Sequence, residues 1–213
     1  WKVAGMRGTG SDTVVADKLF VPKAHCCLMQ GIGSAEDYSY AKEPGDYWIG
    51  FPLLRSKAVG ILVGAVEGQL EAVVDSSARP VLYSAFGQKQ ECASYRALLG
   101  EAGARIRAAR TIMDSSNNAN DAAALARRGL TAEERLNSRV ETAAAIRLLN
   151  EASSALMDLA GSSGFAESSL AQQYWRDFNV GSRHVIFNSY VSNEAFGATV
   201  LGHAQAILPE DCL

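Results

Sequence analysis

Near the C-terminal end, three groups of residues could do chemistry together. They are Gly161-Ser162-Ser163-Gly164-Phe165, then Tyr174-Trp175-Arg176-Asp177, then Arg183-His184. An imidazole titrates near neutrality and can take or give a proton. A turn of glycine and serine can present N–H and O–H groups to an oxyanion such as a phosphate. An adjacent Arg-Asp pair can hold an ionic group or tie two elements together. Of the three His in the chain, His184 has the most polar company. Asp177 and His184 are seven positions apart, so on one unbroken helix they share a face. Each group also has a plainer reading. His184 can be a hydrogen-bonded histidine at a helix surface, Arg176-Asp177 a structural pair, and the serine-glycine run a helix-to-helix turn.

Other chemistries find little support. The chain has 213 residues, a net charge of −3 and an ordinary apolar share of 48%, which gives no electrostatic case for nucleic acid or an anionic membrane. Its four cysteines, Cys26, Cys27, Cys92 and Cys212, show no C-x-x-C spacing and do not combine with histidine as metal ligands. They read as reduced thiols of a cytoplasmic protein, and no signal peptide is visible. Gly8-Thr9-Gly10 lacks the third glycine of a dinucleotide fingerprint. Cys92 falls inside a helical pattern with no histidine nearby in sequence.

The elements that must position these groups are mainly helical. Residues 1–22 read as two β-strands around Arg7-Gly8-Thr9-Gly10-Ser11, ending at Pro22. Two strands cannot bury themselves alone, so they need partners from outside this sequence or from the helices. Residues 23–50 form a long irregular stretch with Gly31, Gly33, Tyr38, Tyr40, Tyr47 and Trp48. A first helix spans about Leu53 to Val74, with Gly60, Gly64 and Gly68 along one stripe. A second spans about Gln88 to Met113, with Tyr95, Leu98, Leu99, Ala102, Ile106, Ala109 and Met113 as its inner face. Asp114 to Gly129 reads as a polar connection with its tip at Ser115-Ser116-Asn117-Asn118. Thr131-Ala132-Glu133-Glu134 is a capping box that opens a third helix, closed at Gly161. A fourth helix runs from Trp175 to about Phe196 with a break near Gly181, and a tail follows through His203, Pro209 and Leu213. Four long helices with modest connections make an antiparallel four-helix bundle, residues 46–213, preceded by a β segment and connecting loop, residues 1–45.

The chain resembles two-component, reduced-flavin-dependent monooxygenases of the acyl-CoA dehydrogenase fold. Trp1-Lys2-Val3-Ala4-Gly5-Met6-Arg7-Gly8-Thr9-Gly10-Ser11 and Val21-Pro22 resemble the end of that fold's middle β domain. Gly161 to Phe165 and Trp175-Arg176-Asp177 resemble glycine-rich and Arg-Asp elements of its last helices. The resemblance implies reduced FMN or FAD from a separate flavin reductase, a C4a-hydroperoxyflavin, and oxygenation of a small molecule. That substrate would be aromatic, polycyclic or an amino sugar. His184 would be the catalytic residue; Arg79, Ser162, Ser163, Gly164, Arg176 and Asp177 would contact the cofactor. It also implies a homodimer or homotetramer, completed by an N-terminal portion or a companion chain.

One position separates the branches of this fold. Many acyl-CoA dehydrogenases place a glutamate base a few residues past the Arg-Asp pair; the matching residue here is Val185, with His184 beside it. Two other readings stay open: an acyl-CoA dehydrogenase, and a non-catalytic helical assembly module without its flavin half.

Overall fold

A computed structural model describes residues 1–26, 41–48, 50–81 and 83–207, apart from the Phe51 side chain. Its five α-helices are α1 (Gly50–Asp75), α2 (Ala93–Leu125), α3 (Ala132–Ala160), α4 (Leu170–Gly181) and α5 (Ser189–Val200). The expectations for Cys27, Gly31, Gly33, Tyr38, Tyr40, Pro209, Cys212 and Leu213 lie outside the described residues.

The bundle is held by an aliphatic interior. Val59, Leu62, Val63 and Val66 of α1 meet Ala102, Ile106 and Met113 of α2, Ile146, Leu149 and Leu156 of α3, and Phe178 of α4. Helices α1 and α2 are antiparallel, tied by Arg110–Glu67 at 2.5 Å and by a Ser56–Asn117 hydrogen bond. Arg105 of α2 bridges Glu101 at 2.8 Å and Glu151 of α3 at 3.1 Å. Between α1 and α3, the buried Gln69 donates to the Ser153 carbonyl at 2.9 Å and accepts from its hydroxyl at 2.6 Å. Those reciprocal bonds satisfy polar groups that would otherwise be costly to bury.

The start and end of α3 follow the sequence reading. Thr131 Oγ1 accepts from Glu134 N–H, and the Glu134 carboxylate accepts from Thr131 N–H at 2.8 Å. Gly161 ends the helix with φ 69°, which favours glycine.

Three expectations need correction. The stretch 114–125 is not a connection; α2 continues to Leu125. Ser116 and Asn120 extend the buried face of Met113 and lead to Ala123 and Ala124, so packing overrides the weak helix preference of Ser115 to Asn118. Leu98, expected inside, is 47% exposed.

The strands expected over residues 1–22 do not form, and no strand occurs among the described residues. Residues 1–21 make short turns, and Val14, Val15, Leu19 and Phe20 stand exposed. An extended segment without a neighbour has nothing to complete its backbone ladder.

The glycine stripe divides. A Cβ at Gly68 would sit 2.7 Å from the Tyr174 ring, whereas at Gly60 and Gly64 it would meet open space. No helix among the described residues is long and apolar enough to cross a membrane.

Candidate functional site

The predicted fourth helix is two helices, and the break decides where His184 lies. Ser182 follows α4, and a single 3-10 turn spans Val185–Phe187. Asn188 then caps α5, its side chain accepting from Tyr190 N–H at 3.0 Å. His184 therefore does not continue the Asp177 face of one helix. It caps the short turn, with Nδ1 accepting from Ile186 N–H at 3.3 Å. That hydrogen bond assigns the neutral tautomer: Nδ1 accepts, so Nε2 carries the proton.

The exposed His184 lines a cleft of about 580 Å³ between α3 and the α4–α5 turn. Arg147, Asn150 and Glu151 line it from α3, and Arg183 and Tyr190 from the turn side. Arg183 donates to the Asn179 carbonyl at 2.8 Å and to Ser182 Oγ at 3.2 Å. Arg147 and Asn150 were not singled out in sequence; on a helix pattern they read as ordinary outer-face residues.

Arg176 and Asp177 hold the N-terminal segment. Met6 N–H donates to Asp177 Oδ1 at 2.5 Å, and Arg176 Nη1 donates to the Ala4 carbonyl at 3.0 Å. Gly5 lies between them so close to α4 that a Cβ would overlap the Arg176 carbonyl and sit 2.7 Å from Asp177 N. Met6 reaches on to Gly181, where a Cβ would lie 2.9 Å from its sulfur and 2.8 Å from Leu62. The latch thus reaches the end of α4 from which His184 projects.

A second cleft, of about 360 Å³, lies at the start of α4. It brings Arg79, Ser163 and Gly164 together with Ser76, Ser169 and Asp75; Ser162 is not among its lining residues. Gly164 packs so tightly that a Cβ would overlap that of Ala160. Lys89 stands nearby, its backbone N–H donating to the Arg79 carbonyl at 2.9 Å. Its ammonium donates to the Leu159 and Ala160 carbonyls at 3.0 and 3.3 Å, which caps the end of α3. Burial, then the charge of Arg79, lowers its pKa from the ordinary value. A guanidinium, hydroxyls and a close-packed glycine fit the phosphate of a nucleotide-like cofactor; Asp75 is the one group that opposes it.

The two clefts are separate. Helix α4 has 12 residues and so spans about 18 Å. One lies at its start and the other beyond its end.

Cys92 lies at the N-cap of α2 rather than within the helix. A hydrogen bond with Ser94, first among several causes, lowers its thiol pKa. Among the described residues no group of His, Cys, Asp and Glu could hold a metal ion.

The sequence pattern of the acyl-CoA dehydrogenase C-terminal domain matches residues 58–189, and the chain belongs to that family. Among individual proteins it is similar to an FADH(2)-dependent resorcinol hydroxylase, oxygenase component, of Rhizobium sp. (strain MTP-10005). The two are 29% identical over 216 residues, covering 95% of this chain and 52% of that one. It is 27% identical to a pigment production hydroxylase of Rhodococcus sp. (strain ATCC 21145), over 94% of this chain and 52% of that protein. The structure of XiaF from Streptomyces sp., in complex with FADH2 and glycerol, superposes with a TM-score of 0.90 at 28% identity, covering 98% of this chain and 53% of XiaF. A 3-HSA hydroxylase from Rhodococcus sp. RHA1 shares the fold, with a TM-score of 0.84 at 22% identity. The chain spans about half the length of the curated relatives it matches.

Proposed function

We propose that the chain forms the C-terminal helical part of a reduced-flavin-dependent monooxygenase that oxygenates a small molecule. The observation that carries this is His184. Its Nδ1 is pinned by a backbone N–H, its Nε2 is left to act, and Val185 stands where a dehydrogenase base would. The relatives named for hydroxylase activity, similar along nearly all of the chain, support the same reading.

Reduced FMN or FAD, when bound, supplies the electrons that activate oxygen. Arg79, Ser163 and Gly164 are suited to hold its phosphate end. His184 offers a hydrogen bond from Nε2–H to an oxyanion that develops in the site. Arg176 and Asp177 act through the latch, which fixes the end of α4 beside His184.

A separate flavin reductase, a cytoplasmic location and residues 1–45 as the end of a β domain belong to this reading. So does self-assembly, supported by the open Gly60–Gly64 face and by the distance between the clefts. The clefts stand about 18 Å apart along α4, so a cofactor too short to span them takes Arg79 from a second copy.

The test is His184→Ala in the complete protein, assayed with a flavin reductase and a turned-over substrate. Losing one placed acid–base group costs about 10²–10⁴-fold in its step. Oxygen should still be consumed, with hydrogen peroxide replacing product. Unchanged coupling would return His184 to a structural role. Thioester-dependent bleaching of oxidised flavin would instead favour the dehydrogenase.

A further inference from the structure

Two arginines lie inside the bundle. Arg55 is 1% exposed and Arg139 7%. Burial first, and then the charge of Arg139, pull the Arg55 guanidinium down to about 10. No carboxylate among the described residues forms an ion pair with Arg55. Its Nε–H and Nη2–H have no hydrogen-bond partner among those residues. These N–H groups form one edge of the guanidinium, and that edge matches the two oxygens of a carboxylate.

Three more buried groups lack partners among the described residues: Trp48 Nε1, Ser116 Oγ and Asn120 Nδ2. The register places all of them at one end of the bundle. Trp48 stands two residues before the start of α1, and the turn before it, Pro44–Tyr47, packs on α2. Arg55 lies in the second turn of α1. The neighbouring Ser56 bonds Asn117, between Ser116 and Asn120 on α2. Three of the four orphans are donors only in this role, and serine can donate. A layer of unmatched donors around the buried Arg55 is complementary to an acceptor that carries negative charge.

We propose that this layer is an oxyanion receptor and that it takes the carboxylate of a small-molecule substrate. The occupant's identity rests on the oxygenase reading; the receptor does not. Arg55 supplies the bidentate fork, and Asn120 and Trp48 supply single donors. An inorganic anion offers the same chemistry from another source.

The test uses the complete protein without flavin, titrated calorimetrically at fixed ionic strength with benzoate, benzamide and inorganic phosphate. Benzoate should bind saturably and raise the melting temperature, while its neutral isostere should do neither. Arg55→Gln should weaken benzoate by at least about tenfold, the loss expected for a charged hydrogen-bonded pair. Arg55→Lys should fall between, because it keeps the charge and loses the fork. Asn120→Leu, which keeps both cations, should weaken benzoate several-fold and serves if the arginine variants do not fold. Phosphate binding without benzoate would keep the receptor but reassign its occupant to an inorganic ion. Equal binding of benzoate and benzamide, no anion binding, or an unchanged affinity in Arg55→Gln and Asn120→Leu would overturn the proposal. None of these readouts needs turnover, so their failure leaves the oxygenase reading standing. A failed oxygenase assay likewise leaves the anion titration intact.

Discussion

Gly5→Ala should release the N-terminal segment from α4. The added methyl would overlap the Arg176 carbonyl, which is helix backbone and cannot swing aside as a side chain would. The segment must lift, and it then loses the Met6–Asp177 and Arg176–Ala4 hydrogen bonds. Hydrogen bonds to charged groups are each worth about 1.5–3 kcal/mol, so the pair contributes about 3–6 kcal/mol before the segment's ordering entropy is subtracted. Asp177→Asn should cost less, about 1 kcal/mol, because it keeps an acceptor and loses only the charge. Hydrogen exchange at the Met6 amide reads the opening directly. Expected protection falls at Met6 in Gly5→Ala and follows the order wild type, Asp177→Asn, Gly5→Ala. Because Met6 packs against Gly181, exchange at the Ile186 amide should rise as well. Wild-type protection at Met6 in Gly5→Ala would refute the latch. Altered Met6 with unchanged Ile186 would refute its connection to His184.

Glu134 carries a pH dependence. Its hydrogen bond to Arg128, first, and the Thr131 N–H hold its carboxyl down to about 2 against an ordinary 4.5. A depressed folded pKa stabilises above the unfolded value, so about 1–2 kcal/mol should vanish as pH falls from about 4.5 towards 2, and Glu134→Gln should flatten urea-melt midpoints there. Gly68→Ala should cost about 1–3 kcal/mol by driving a methyl into the Tyr174 ring. Gly64→Ala faces open space and should raise monomer stability by up to about 1 kcal/mol, while Gly64→Leu should weaken self-association by sedimentation. Mixing inactive Arg79→Ala and His184→Ala chains should restore up to about a quarter of wild-type activity if sites draw on two copies. No recovery after reassembly would refute a site shared between two copies.

What could be read from the sequence differs from helix to helix for physical reasons. Helix α3 was legible because its ends are local: a reciprocal Thr131–Glu134 cap and a glycine at positive φ. The length of α2 was not. Ser115 to Asn118 are poor helix formers, and only contacts with other helices keep them helical. The break near Gly181 was visible as a glycine, but its consequence was not, since a helical wheel places Asp177 and His184 together only if the helix continues. Of the residues expected at a cofactor, Arg79, Ser163 and Gly164 line one cleft, whereas Ser162, Arg176 and Asp177 do not. Arg55 and Arg139 stayed hidden because nothing in a helical pattern marks a cation as internal.

The 12 residues of α4 organise the two clefts. At its start, Ser169 to Ala171 complete the cleft of Arg79 and Ser163. Through its second half, Arg176 and Asp177 grip the segment that begins the chain, and Gly181 admits both Leu62 of α1 and Met6. The next residues form the turn that sets the His184 tautomer. A rigid helix therefore links the seating of residues 4–6 to the placement of the His184 imidazole. This explains why the Arg-Asp pair can matter to the site without touching a ligand. Its loss should move the histidine before it changes any cofactor contact at Arg79.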